Sequence, residues 1–145
     1  MFHFTIQAAK HCDANAVCRI AKRVLLSEIT PDKMKKLYVE IIENVDQIIM
    51  IAVNSGKTVG FIHARRVKDL VFGCYTEIVT IALLPYYQRR GGGTSLLLGA
   101  EQWSRQMLTP NLKCTLKGDN MAVKVLLHGC GYVENSQGAF EKTIV

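Results

Sequence analysis

Residues 88–103 read QRRGGGTSLLLGAEQW: two arginines and three consecutive glycines directly before an apolar run. These residue types in this order are suited to holding an anion. Glycine leaves backbone N–H groups bare and tolerates positive φ, and arginine supplies charge with paired donors. A helix starting right after the glycines aims its unpaired first-turn amides, and the positive end of its macrodipole, at whatever lies in front. Charge-assisted bonds contribute about 1.5–3 kcal/mol each against about 0.3–1 kcal/mol for the dipole, so donor geometry outweighs the bulk field. Spacing excludes two other phosphate signatures. The dinucleotide pattern G-x-G-x-x-G fails because Leu96 stands three residues after Gly93, and Gly56-Lys57-Thr58 is no P-loop because Ile51 holds the place of the required first glycine.

Periodicity gives the elements that must position this loop. Residues 73–84 (GCYTEIVTIALL) read as a strand, apolar at its end and stopped by Pro85. Leu96, Leu97, Ala100, Trp103, Ser104 and Met107 follow at helical spacing as far as Pro110. Upstream, residues 2–9 alternate as a strand, and Val17, Ile20, Ala21, Val24 and Leu25 form a helical stripe behind Asp13. A second helix starts with Thr30 as N-cap and Pro31 in first position, its stripe running through Met34, Leu37, Tyr38, Ile41 and Ile42. Residues 46–53 and 58–66 flank a Gly-containing turn as a hairpin. Downstream lie a strand at 112–117, a short helix from Asp119 or Asn120 to Gly129, and a closing hairpin of 131–135 with 139–145. The order is α+β, or mixed α/β.

Composition sets the bounds. A chain of 145 residues, 49% apolar and 21% charged, is expected to be a single globular domain over 1–145. The net charge of +6 suits an anionic partner and equally suits plain solubility. The basic residues are dispersed without interleaved aromatics, so no nucleic-acid partner is expected. Five cysteines, odd in number and without a CxxC pair, argue against a disulfide framework or zinc ribbon and fit a reducing cytoplasm. No run approaches the roughly 18 apolar residues of a membrane span. His11 with Cys12, and His128 with Cys130, lack ligand spacing, so no metal is expected.

The hexapeptide Gln88–Gly93 matches Q/R-x-x-G-x-G/A, and its context matches too. Residues 76–103 resemble the central strand, pyrophosphate loop and following helix of the GNAT superfamily of acyl-CoA-dependent N-acyltransferases, while NMAVKVLLHGCGY (120–132) is similar to that family's later asparagine-to-Gly-Phe segment, with Tyr132 in place of Phe. The resemblance implies a central mixed, mostly antiparallel twisted sheet of six to seven strands flanked by helices. It implies acetyl-CoA as cosubstrate, held by Gln88, Arg89, Arg90, Gly91, Gly92, Gly93 and Thr94 at the pyrophosphate. Main-chain groups of Ile81 and Leu83, on a strand splayed from its parallel neighbour, and Asn120 would hold the pantetheine arm. Asn120 reads equally well as a helix cap. On this reading the glycines are bare for the ligand, and a β-branched residue at 91 or 93 would block it while leaving the apo fold largely intact.

The implied activity is acetyl transfer to a primary amine of an unidentified acceptor. Glu77, eleven residues before Gln88, falls where histone-acetyltransferase-like members carry a base glutamate, although a pair with Arg65 or Arg66 would account for it as well. A base matters most for a lysine-like amine, which needs about 4.6 kcal/mol to be neutral at pH 7 against about 1 kcal/mol for an α-amino group. The family's acid tyrosine is replaced here by Leu127, and His128 points about 100° away. His63 alternates with Val59 and Phe61 and reads either as a wall of the acceptor cleft or as a satisfied core residue. Tyr86, Tyr87 and Tyr132 read as acids, acceptor walls or packing. A catalytically weak acyl-CoA-binding or sensing domain is the competing reading. Family habit suggests a homodimer.

Overall fold

The computed structural model describes residues 2–116 and 120–144. A first strand, β1 (Thr5–Ala8), leads through a 3₁₀ turn, His11–Asp13, into α1 (Ala14–Leu25). The Asp13 carboxylate accepts from the Lys10 amide at 2.8 Å, which closes that turn and launches the helix. Leu26, in the left-handed region at φ 54°, ends it. The second helix, α2 (Pro31–Ile42), starts on Pro31 as expected, but the Thr30 side chain makes no capping bond. Strands β2 (Gln47–Asn54) and β3 (Lys57–Asp69) are joined by Ser55 and Gly56, both at positive φ. That is the turn a two-residue hairpin requires, so the Gly-Lys-Thr triplet belongs to a hairpin.

The remainder comprises β4 (Gly73–Leu83), α3 (Gly92–Gln106), β5 (Asn111–Thr115), α4 (Met121–Gly129), β6 (Val133–Glu134) and β7 (Ala139–Thr143). The seven strands form one sheet in the order β1-β2-β3-β4-β5-β7-β6. Every neighbouring pair is antiparallel except β4 with β5. The mixed, mostly antiparallel sheet anticipated from the sequence is therefore present. The first strand begins at Thr5 rather than Phe2, and β5 ends at Thr115; Lys117 and Asp119, included in the expected strand and helix, lie outside the described residues. No helix among the described residues is long and apolar enough to cross a membrane.

Helix layers cover both faces. Gly99 of α3 abuts Ile6 and Met50, so Met50 faces α3 and its neighbours Ile49 and Ile51 point the other way. Both isoleucines are buried, and α1 and α2 supply the cover on that face through Val17, Ile20 and Tyr38. The Tyr38 hydroxyl donates to the Lys10 carbonyl at 2.6 Å. On the α3 side, Leu96, Leu97 and Ala100 join Ile62, Ile78 and Leu112 in the same core.

Two buried polar groups of bonds lock α3 to the sheet. Ser104 Oγ donates to Thr76 Oγ1 at 2.8 Å, and Thr76 Oγ1 and Thr109 Oγ1 lie 2.8 Å apart. Further along α3, the buried Glu101 carboxylate accepts from the Tyr132 hydroxyl at 3.0 Å and from Lys142 Nζ at 3.1 Å. Buried polar atoms left without partners cost free energy, so these residues hold one another in place. Thr76→Val should lower the unfolding free energy by about 1–3 kcal/mol in denaturant titration. Thr115→Val, at an exposed position, should stay within about 0.5 kcal/mol of wild type.

His63 on β3 shares a 2.8 Å hydrogen bond between Nε2 and Gln47 Oε1 on β2. Burial, with a smaller contribution from Arg65, lowers its pKa from 6.5 to about 4. Between those values the unfolded chain takes up a proton that the folded imidazole does not, so stability rises with pH across that window and falls on acidification. His63→Gln should remove this part of the acid sensitivity, measurable as a flatter dependence of melting temperature on pH between about 6.5 and 4.

Candidate functional site

The parallel contact between β4 and β5 consists of two residue pairs, Thr76 with Leu112 and Glu77 with Lys113. Beyond them the strands part. On its other side β4 stays paired with β3 through Leu83, with a register shift at the His63/Ala64 step that leaves Val79 bulged between the partners Ile78 and Thr80. The Leu84 N–H donates across to Val59 O at 2.9 Å, so by strand alternation Ile81 and Leu83 turn their main-chain groups into the gap. A cleft of about 790 Å³ opens there. Its walls are Ile81–Leu83 of β4, Val24 and Leu25 of α1, and Asn120–Val123, Val125 and Leu126 at α4. Leu25, which the sequence places on a buried helical stripe, is well exposed, as are Met121 and Val125 of α4; all three face the cleft.

The glycine loop closes one end. Gln88, Arg89, Gly91, Gly93 and Thr94 line the cleft. Arg89 has φ 61° and Gly91 φ 92°, two left-handed residues that turn the chain sharply into α3. The first helical bond runs from the Ser95 amide to Gly91 O at 3.1 Å, and no side chain caps the helix. The amides of Gly92, Gly93 and Thr94 thus have no intrahelical acceptor. Gln88 Nε2 donates to Leu83 O at 2.9 Å, so this side chain braces the loop against β4 and occupies one of the carbonyls turned into the gap.

Each glycine has its own reason. Gly91 requires positive φ. A Cβ on Gly92 would lie 3.1 Å from Leu83 and 3.2 Å from Phe4, and one on Gly93 would lie 2.7 Å from the Leu126 side chain. The expectation that a β-branched residue at 91 or 93 spares the fold meets backbone strain at 91, where φ is positive, while at 93 it requires the Leu126 side chain to move aside. The Arg90 guanidinium is also placed differently from what its motif position suggests. It lies 4.4 Å over the Phe2 ring and 5.4 Å over Tyr86, with Nε donating to Tyr86 O at 3.1 Å, and it is absent from the cleft wall. Phe2, Tyr86 and Tyr87 pack edge to face beneath it, so both loop tyrosines are packing residues here.

Asn120 caps a helix, the second of its two sequence readings, and stands at the cleft. Its Oδ1 accepts from the Val123 amide of α4 at 3.2 Å. Leu127 is fully buried, while His128 is exposed and packs its ring edge on Phe140, 5.5 Å away. Tyr132 is buried on Glu101, and burial with the adjacent carboxylate pushes its pKa upward.

Thr76 faces α3, so Glu77 points to the opposite face. Register places Gln47, Arg65, Glu77, Lys113 and Glu141 in one row across the sheet. Arg65 grips Glu77 at Oε1, with Nε and Nη2 each 2.7 Å away; Oε2 takes part in neither contact. The pairing raised from sequence is real, and Glu77, at the last β4–β5 pair, is not among the residues that line the cleft. Lys113 Nζ lies 4.6 Å over both Phe72 and Tyr75 and 3.6 Å from Glu141. His63 is spent on Gln47. Among the described residues no cluster of His, Cys, Asp or Glu could hold a metal ion.

Comparison with known proteins bears on the fold and the family. The model of the acetyltransferase (GNAT) family matches residues 15–132. An aminoglycoside N-acetyltransferase solved with CoA superposes with a TM-score of 0.85 at 17% identity, covering 100% of this chain and 94% of that one. The PaiA N-acetyltransferase of Thermoplasma acidophilum with coenzyme A gives 0.77 at 16%, covering 98% and 99%. A GNAT-family acetyltransferase from Streptococcus pneumoniae gives 0.78 at 19%, covering 99% and 100%. No curated protein matches the sequence. At these identities the solved structures establish a shared fold, and with the family model spanning most of its length, this chain belongs to the GNAT acetyltransferase family.

Proposed function

We propose that the chain, acting as a single domain over 1–145, transfers an acetyl group from acetyl-CoA directly to a primary amine of a small molecule or a peptide. The observation that carries this reading is the edge of β4 beyond Glu77, whose main-chain groups face a cleft ending at three uncapped amides. Unpaired strand backbone needs a partner, and an amide-bearing arm supplies one. The amides of Gly92, Gly93 and Thr94, with the Arg89 side chain, would receive the pyrophosphate. Ile81 and Leu83 would align the pantetheine arm, Leu83 exchanging its bond from Gln88, and Asn120 Nδ2 would reach the same arm. Acetyl-CoA supplies the activated thioester; all five cysteines of the chain are free, which fits a reducing cytoplasm.

In the transfer step the neutral amine attacks the thioester carbonyl, the C–S bond breaks and CoA leaves as thiolate. Glu77, oriented by Arg65, accepts the amine proton through Oε2 or an intervening water. Among the described residues we assign no side chain to the role of the acid in place of Leu127. A thiol pKa near 8.5 makes the thiolate a fair leaving group without one.

Acetyl-CoA at about 100 times its Kd should stabilise the fold by about 2.7 kcal/mol, read as a rise in Tm. Arg89→Glu, at an exposed position, should keep the apo Tm and sharply reduce the ligand-induced rise. An unchanged Tm of wild type at millimolar acetyl-CoA would overturn the reading.

Glu77→Gln should leave acetyl-CoA affinity nearly unchanged and lower kcat by roughly a hundredfold or more near neutral pH. The deficit should shrink between about pH 7 and 10, where the amine deprotonates in solution. Steady-state kinetics on an amine panel, following CoA thiol release, decides the matter. A pH-independent loss would make Glu77 an orienting group, and an unchanged kcat would remove it from the site.

A further inference from the structure

A second cavity, of about 440 Å³, lies between α1 and α2 and is separate from the cleft. Its rim carries four cations, Arg19, Lys22, Arg23 and Lys35, and no acidic residue lines it. Its floor is apolar, with Cys18 and Met34. Among the described residues, Arg19, Arg23 and Lys35 have no ion pair or hydrogen bond, while Lys22 donates to Ile29 O at 3.3 Å. Burial raises the Cys18 thiol pKa and the Lys35 charge opposes it, which sets the Lys35 ammonium beside the floor.

Helix electrostatics account for only part of this. Lys22 and Arg23 occupy the last turn of α1, where cations are favoured. Arg19 and Arg23 are one turn apart, a spacing at which like charges repel. Lys35 stands toward the α2 N-terminus, whose dipole offers a cation nothing, together with Lys33 and Lys36. The unrelieved charge converges on a cavity instead of spreading along the helices. Asp13, Glu28, Asp32 and Glu40 bound it in sequence, so the basic surface is short. A closed patch of this kind suits a small molecule better than a nucleic-acid backbone, and guanidinium groups match phosphate geometry.

We propose that the α1–α2 groove binds a small organic phosphate, its apolar body on Cys18 and Met34 and its phosphate between Arg19, Arg23 and Lys35. The site does not depend on acetyl transfer.

The test uses full-length protein saturated with CoA, so that the glycine loop is filled, and phenyl phosphate as probe in calorimetric titration. One-to-one binding is expected, weakened at least tenfold by Arg19→Ala/Arg23→Ala and likewise by Lys35→Glu on the opposite wall. Lys33→Ala/Lys36→Ala removes the same number of charges outside the groove and should leave binding unchanged. Melting temperatures establish that each variant is folded. Absence of saturable binding, or equal weakening by the two double variants, overturns the proposal. Tighter binding of a short oligonucleotide, reduced alike by both double variants, would reassign these cations to a nucleic-acid surface and overturn it as well.

Discussion

The parting of β4 from β5 is the constraint on which the rest of the molecule depends. Two pairs hold the strands together, and then β5 follows β7, with which all five of its residues pair, while β4 stays on β3. Neither strand can close the gap without giving up its outer partner. The buried hydroxyls of Thr76, Ser104 and Thr109 anchor β4 to α3 at the first of those two pairs, one residue before the strands part. An exposed run of strand backbone in a protein interior is costly unless water or a ligand meets it. Here α1 and α4 turn it into a lined cleft.

The glycine loop is held from behind as much as it is opened in front. Phe2 and Phe4 come from the segment leading into β1, far from the loop in sequence, yet they meet Tyr86, Arg90 and Gly92. Stacking of this kind adds about 0.5–1.5 kcal/mol for an aromatic pair and a similar amount for an exposed cation over a ring. The left-handed Arg89 and Gly91 are thereby kept in a conformation that a free loop would leave.

How much of this was legible in the sequence follows from how local each feature is. The element order, the hairpin at Ser55–Gly56 and the helix opening at Gly92 are written in periodicity and turn chemistry, and the structure agrees with them. The motif likewise marked the loop. Arg90 was read as a ligand contact because sequence gives spacing and not direction, and its direction is set by Phe2. Asn120 and Glu77 each carried two readings, and geometry shows a side chain engaged with one partner while a second atom stays uncommitted. The exposed Leu25, Met121 and Val125 could be placed on helices but not on the cleft, because that assignment needs the positions of α1 and α4 at the gap.

Gly93 and Leu126 form one volume shared by two positions. The space a side chain would take at 93 is already filled by the leucine, whose nearest carbon would lie 2.7 Å from an added Cβ. A larger residue at 93 has room only if the Leu126 side chain moves aside or is replaced by a smaller one. Engineering of this loop therefore has to treat the helix start and the distant helix together, since a side chain at 93 and the one at 126 compete for the same space at this end of the cleft.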